Sequence, residues 1–236
     1  MNNLLCLPHI RLKNNTRYAS PEWVQKLAAV AAKSDGKMQL AAHLCGSRVN
    51  DVLNGDDGFL STLHGLGFKR VQINATAVNG VDVSRLRESV DTFLAVVQNH
   101  PELEFILQKN DETQPLWGKI LTLDNEISGG QSGRVPNNVS MLVDESKGTG
   151  VAPTSSWPKA TGEYNIGYAG GIGPKNIEKV LRDVMEAGCG RSIWIDMESS
   201  LRSIKDDVDV FDLDKCYEVI DVTCKAGIFT HPNFIP

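Results

Sequence analysis

Asn165-Ile-Gly-Tyr-Ala-Gly-Gly-Ile-Gly-Pro-Lys-Asn-Ile-Glu-Lys-Val-Leu181 is the stretch whose reading decides the fold. Its first five residues, apolar and β-prone, suit a buried strand. Gly170 and Gly171 let the backbone turn sharply and approach a neighbour closely. Gly173-Pro174 then opens a helix, with Pro174 at or near its first position, where a missing N–H costs nothing. Ile177, Val180, Leu181 and Val184 recur at helical spacing. Strand, diglycine turn and helix start together form an anion site, because free N–H groups and the helix dipole point the same way. A plain βα turn without a ligand reads equally well from these residues alone.

Strands and helices alternate on both sides of this stretch. Leu4 to Leu7 reads as a strand, and Ser20-Pro21-Glu22 as a capped helix start. Met38 to Leu44 is the next strand, followed by one helical segment from Val49 to about Gly67. Arg70 to Asn74 is a strand, and Ser84 caps a long amphipathic helix through Val97. Leu103 to Gln108 is a strand, Gln114 to Leu121 a helix, and Asp124 to Asn138 a long loop rich in Gly, Ser, Asn and Pro. Val139 to Val143 and Arg191 to Met197 are strands, and Asp214 to Lys225 is the last helix. About seven strands at roughly 30-residue intervals imply right-handed βαβ units and a parallel sheet. Either a barrel of the (βα) type or an open doubly wound sheet fits. The absence of a first-strand GxGxxG disfavours the dinucleotide-binding version, so a single barrel domain spanning 1–236 is expected.

The 236 residues carry a net charge of −5, with 41% hydrophobic and 22% charged residues. That balance suits a globular domain and disfavours a nucleic-acid partner. Five scattered cysteines without a CxxC pair read as free thiols of a reducing compartment, which places the chain in the cytoplasm. No run is long enough for a membrane span, and the N-terminus lacks the apolar core of a signal peptide.

Strand alternation sorts the polar residues. Leu40, Ala42 and Leu44 would face the helices, leaving Ala41, His43 and Cys45 inside. Val71 and Ile73 would face outward, leaving Gln72 and Asn74 inside. Gln108, Asp144 and Asp196 also stand at strand ends. In a barrel these ends share one mouth, where barrel active sites are built. Each residue has a plainer reading as a satisfied core group or helix cap, but their coincidence points to a ligand site. His43, Asp144, Asp196 and Glu198 can also be read as metal ligands; no HxH or HExxH spacing supports that, and no metal or cofactor is expected. Cys45 becomes a nucleophile or base if His43 stabilises its thiolate. Otherwise it is an inert buried thiol.

Several of these motifs resemble, in order, those of the phosphoribosylanthranilate isomerase family of (βα)-barrel enzymes. Arg17-Tyr-Ala-Ser-Pro-Glu22 is similar to its R-Y-x-S-P-E segment, and Gln72 to the glutamine ending its fourth strand. Val143-Asp144, Gly148-Thr149-Gly150 and Trp157 resemble its L-D…G-T-G…W segment. Ala169 to Asn176 resembles A-G-G-L-x-P-x-N, the most specific match. Asp196 to Ser200 is similar to the segment ending its last strand. The resemblance implies a phosphate site built from Gly148, Thr149, Gly150, Gly170, Gly171, Ser199 and Ser200. It implies Asp144 as general acid and Arg17 as the holder of a substrate carboxylate. By this matching the family's first strand, which carries a cysteine base in K-x-C-G, has no counterpart; His43-Leu-Cys45-Gly46 echoes that motif but aligns with the family's third strand.

The expected activity is proton transfer, an isomerisation or lyase step, on a phosphorylated small molecule. Asp144 would be the acid and His43 or Cys45 the base, His43 being favoured because a free imidazole titrates near neutrality. Gln72, Asn74 and Asp196 would complete the binding surface. The competing expectation is a non-catalytic phosphometabolite-binding or protein-interaction barrel. A missing strand would leave open sheet edges, which a homodimer would cover.

Overall fold

Two-residue alternation along each strand separates an outer apolar layer from an enclosed interior. The computed structural model describes residues 6–12, 21–33, 38–127, 135–144, 156–162 and 164–225. Its strands are β1 (Cys6–Leu12), β2 (Ala41–Leu44), β3 (Arg70–Ile73), β4 (Glu104–Gln108), β5 (Val139–Asp144), β6 (Asn165–Ala169) and β7 (Ile193–Met197). β2 to β7 form a six-stranded, wholly parallel sheet that curls round in sequence order. β1 pairs in parallel with both β2 and β7, His9 opposite Ala41 and Leu7 opposite Asp196, and closes the ring. The expected open edges are therefore absent among the described strands, and with them the reason given for a dimer.

The helices are α1 (Pro21–Lys33), α2 (Ser47–Leu53), α3 (Gly58–Gly65), α4 (Val90–Asn99), α5 (Gln114–Ile127), α6 (Ile177–Ala187) and α7 (Leu213–Lys225). Among the described residues none is long and apolar enough to cross a membrane. Leu40, Ala42, Leu44, Val71, Ile73, Phe105 and Tyr168 pack outward against helix residues such as Val49, Phe93 and Leu181 in one continuous core. A second, smaller cluster of Ala41, Ile106, Leu142, Ala169 and Trp194 fills the inside of the ring.

Four expectations about the elements are corrected. The segment from Val49 to Gly67 is two helices, interrupted at Asn54, Gly55 and Asp56. Ser84 does not cap a long helix: Asp82 Oδ1 accepts from the Ser84 amide (3.2 Å) and hydroxyl (2.6 Å), capping a short 3₁₀ turn, and α4 starts at Val90. The loop expected from Asp124 begins later, because α5 continues to Ile127; residues 128–134 lie outside the described residues. Pro174 does not open α6. The Asn176 side chain accepts from Gly173 N–H and donates to the Gly171 carbonyl, both at 2.9 Å, so a stapled turn precedes the helix at Ile177.

One element went unforeseen. Between β7 and α7 lies an antiparallel hairpin, β8 (Arg202–Lys205) and β9 (Val208–Phe211). Its two-residue turn holds Asp206 and Asp207 in left-handed conformations (φ 50° and 61°), the geometry that matches strand twist. Arg202 Nε bonds Asp209 Oδ1 across the hairpin at 2.8 Å, and Asp212 ties it to α7 through Ser203 Oγ (2.7 Å) and Asp214 N–H (3.2 Å).

Trp194 acquires a physical account. It points into the barrel, and Gly167 on the neighbouring β6 makes room for it: a Cβ there would fall inside the indole ring. The Arg70 guanidinium lies over the same ring, 5.0 Å from its centroid. Gly167→Ala is expected to lower stability by about 1–3 kcal/mol through overpacking, measured by denaturant unfolding. Combining it with Trp194→Leu should recover part of that loss, because the two changes share one space.

Candidate active site

His43 stands one residue before the end of β2, with Cys45 two residues on and therefore on the same inner face. His43 pairs in register with Gln72 of β3, whose strand leads on to Asn74. β4 ends in Gln108, β5 in Asp144, and Ala169 at the end of β6 pairs with Asp196 of β7. His43, Cys45, Gln72, Asn74, Gln108 and Asp196 are all buried. The strand-end ring read from the alternation is thus assembled at one mouth. Arg17, Gly148, Thr149 and Gly150, like the Ser20 cap, lie outside the described residues.

The densest polar cluster surrounds His43. Its Nε2 is 2.8 Å from Asn74 Nδ2, and its Nδ1 is 3.8 Å from Glu198 Oε2. Asn74 Nδ2 also reaches Cys45 Sγ at 3.9 Å. The Thr76 hydroxyl donates to Asn74 Oδ1 (3.1 Å) and accepts from Asn79 Nδ2 (2.6 Å), so the amide is braced from behind. Alternation could have found Glu198, since it follows Asp196 by two residues; its service to His43 was missed. Thr76 and Asn79 lie in the turn beyond β3, where periodicity carries no information.

Burial alone pushes His43 toward its neutral form. Contact with Cys45 and with Glu198, together with the negative charge of both, outweighs that, and its pKa is pushed up to about 9. Charge state and hydrogen-bond direction must then agree. With Asn74 Nδ2 toward Nε2, the ring accepts there and is neutral. The cation instead needs the amide turned so that Oδ1 accepts from Nε2–H, an exchange the Thr76 hydroxyl tolerates because it both donates and accepts. Flanked by two acidic groups, His43 is held toward its cationic form. That shift works against His43 as the base, the role a free imidazole would suggest. A cation holds no lone pair to take a proton.

Farther round the ring, Gln108 Nε2 reaches Asp144 Oδ2 at 3.5 Å, a long contact. Gln72 Oε1 takes no hydrogen bond from any described residue, although Gln72 is buried. After β6, Gly170 and Gly171 hold φ of 134° and 58°, conformations that a side chain would strain. Gly173 lies so close to Ser200 that a Cβ on it would overlap the serine Cβ. That approach seats the turn before α6 directly against the Ser199–Leu201 3₁₀ turn. Gly170, Gly171, Ser199 and Ser200, far apart in sequence, thus belong to adjoining turns at the mouth. Among the described residues no three of His, Cys, Asp and Glu are grouped to hold a metal ion, so the His43, Asp144, Asp196 and Glu198 set does not form one.

No family model matches the chain, and no curated protein matches it in sequence.

The His43 ring signal, followed by NMR in histidine-labelled protein, should keep its imidazolium shift through pH 7.5 and titrate near 9. Glu198→Gln and Cys45→Ser should each move that midpoint down toward the free-histidine range of about 6.5. A midpoint unmoved by both substitutions would remove the two groups as its cause.

Proposed function

We propose that this chain is a barrel enzyme that binds a phosphorylated small molecule and catalyses a proton-transfer isomerisation or lyase step on it. The observation that carries the reading is the buried cluster in which Cys45 and Glu198 flank His43 at the barrel mouth. A histidine cation beside a cysteine favours the thiolate, the form of cysteine that accepts protons. Cys45 is then the base, His43 the group that keeps it ionised, and Glu198 the group that orients His43. Asp144 stands on β5, three strands away from β2 in a seven-stranded ring, on the far side of the mouth. A substrate between them would lose a proton to Cys45 and gain one from Asp144. His43-Leu-Cys45-Gly46 thus supplies a cysteine base of the kind that the resemblance to phosphoribosylanthranilate isomerases calls for, from a different strand.

The phosphate belongs at the joined turns. Gly170 and Gly171 make a turn without side chains, Ser199 and Ser200 add hydroxyl donors, and α6 begins just beyond. Binding energy collected there positions the reacting carbon between Cys45 and Asp144. Gln72, with an unclaimed carbonyl oxygen, is placed to accept from a substrate hydroxyl or amine.

Thermal unfolding against inorganic phosphate and a panel of phosphorylated sugars and amino-sugars tests the binding half. A ligand at a hundredfold excess over its Kd stabilises by about 2.7 kcal/mol, and Gly171→Asp should abolish the shift while leaving the unliganded fold intact. Absence of a shift with every phosphate compound would sink the phosphate site.

Deuterium exchange tests the chemistry. With a ligand that binds, the wild-type chain in heavy water should wash deuterium into one C–H position. Cys45→Ser should slow that exchange by about 10²–10⁴-fold without loss of binding. Binding without exchange in the wild type would instead mark a phosphometabolite-binding barrel.

A further inference from the structure

Below the mouth, the barrel interior contains polar atoms that the proposed chemistry does not use. Arg70, Glu104, Ser140 and Trp194 each stand within the first two residues of their strands, at the end opposite the site. Arg70 is 7% exposed, Trp194 4% and Ser140 0%. Arg70 Nε meets Glu104 Oε2 at 2.9 Å and Gln39 Oε1 at 3.1 Å. Arg70 Nη1, Glu104 Oε1, Ser140 Oγ and Trp194 Nε1 are buried, yet none finds a hydrogen-bond partner among the described residues. Between them and the mouth lie Ile106, Leu142 and Ala169 of the inner apolar cluster, with Gln72 and Asp196 in register with two of them.

The chemistry of the four atoms selects what they bind. Arg70 and Trp194 offer only donors, Glu104 only an acceptor, and Ser140 either. Arg70 feels the carboxylates of both Glu104 and Asp196, so an anion would meet carboxylates and a cation the guanidinium. A molecule that donates and accepts, carries no charge and fits among strand-start side chains is required. Water meets all three conditions, and a buried water typically makes about three hydrogen bonds to such groups. Left dry, four such atoms would each bear the full desolvation penalty, a sum that rivals the whole stability of a domain.

We propose that the floor of the barrel is a water-binding site, in which Arg70 Nη1, Glu104 Oε1, Ser140 Oγ and Trp194 Nε1 share a small cluster of ordered water under an apolar waist. The cluster completes the Arg70–Glu104 pair and lets the interior hold an ionised arginine. It stands apart from the reading of the mouth as an active site.

Magnetic relaxation dispersion of water nuclei counts long-lived internal waters in the intact chain. At one buried water per ~27 residues, a chain of this size holds roughly nine. Ser140→Val fills the floor and should lower the dispersion amplitude by roughly 10–20%, one or two waters of that number. Ser140→Ala keeps the space and removes one partner. It should lower Tm if the hydroxyl is hydrated, and raise Tm if the hydroxyl is dry. A fall in amplitude together with a lower Tm for Ser140→Ala supports the site. An unchanged amplitude in a folded Ser140→Val chain overturns it, as does a raised Tm for Ser140→Ala. Should Ser140→Val not fold, the sign of the Ser140→Ala shift decides alone.

Discussion

Closing a parallel sheet on itself drives every second side chain of each strand into one enclosed space, and this structure follows from how that space is filled. β1 bridges β2 and β7, so the interior has walls on all sides and water enters mainly at the ends. Each inner residue must then fill space, pair with a neighbour or face an end. Ala41, Ile106, Leu142, Ala169 and Trp194 do the first, and Gly167 yields its side-chain volume to the indole. Arg70 and Glu104 pair at the floor. His43, Gln72, Asn74, Gln108, Asp144 and Asp196 stand toward the mouth. The two polar ends are linked through charge, since Asp196 together with Glu104 favours the ionised Arg70.

Enclosure also accounts for the electrostatics of the mouth. In water, a histidine beside a thiol and a carboxylate would titrate much as usual, since solvent screens the charges. Buried, the same groups interact strongly, and ionising one of them favours the opposite charge on the next. His43 is carried upward against its own desolvation because Cys45 and Glu198 lie close, while Asn74, Thr76 and Asn79 form a chain of contacts on its other side. What the barrel supplies is a place where a cysteine and a histidine can exchange a proton between themselves without losing it to water.

The connections on the mouth side show the same economy of space. Gly173 against Ser200 joins two turns that belong to different βα units. Asn176 staples the first of these turns before α6 starts, which leaves the amides of the preceding glycines outside the helix ladder. The hairpin of β8 and β9 follows the second turn directly and is anchored to α7 through Asp212, fixing the far side of the Ser199–Leu201 segment.

Much of this was legible from local pattern. Period-two alternation in Gln39 to Cys45 and in Arg70 to Asn74 sorted inner from outer residues correctly, because β geometry leaves a side chain only two directions. The strand at Asn165–Ala169 and its diglycine turn were equally plain. Helix starts were not. Asp82 and Asn176 reorganise their turns by side-chain hydrogen bonds, and several residues nearby offer the same capping chemistry. The hairpin at Arg202 escaped because its Asp206-Asp207 turn is a weak signal beside Asn-Gly.

By itself the sequence determined the order of elements, the parallel sheet and the inward set of polar residues, since each of these follows from local stereochemistry. Only the tertiary structure decided that Glu198 meets His43 and that Ser200 lies against Gly173. Those contacts join residues up to about 150 positions apart, and they depend on strand register and ring closure, which no periodicity encodes.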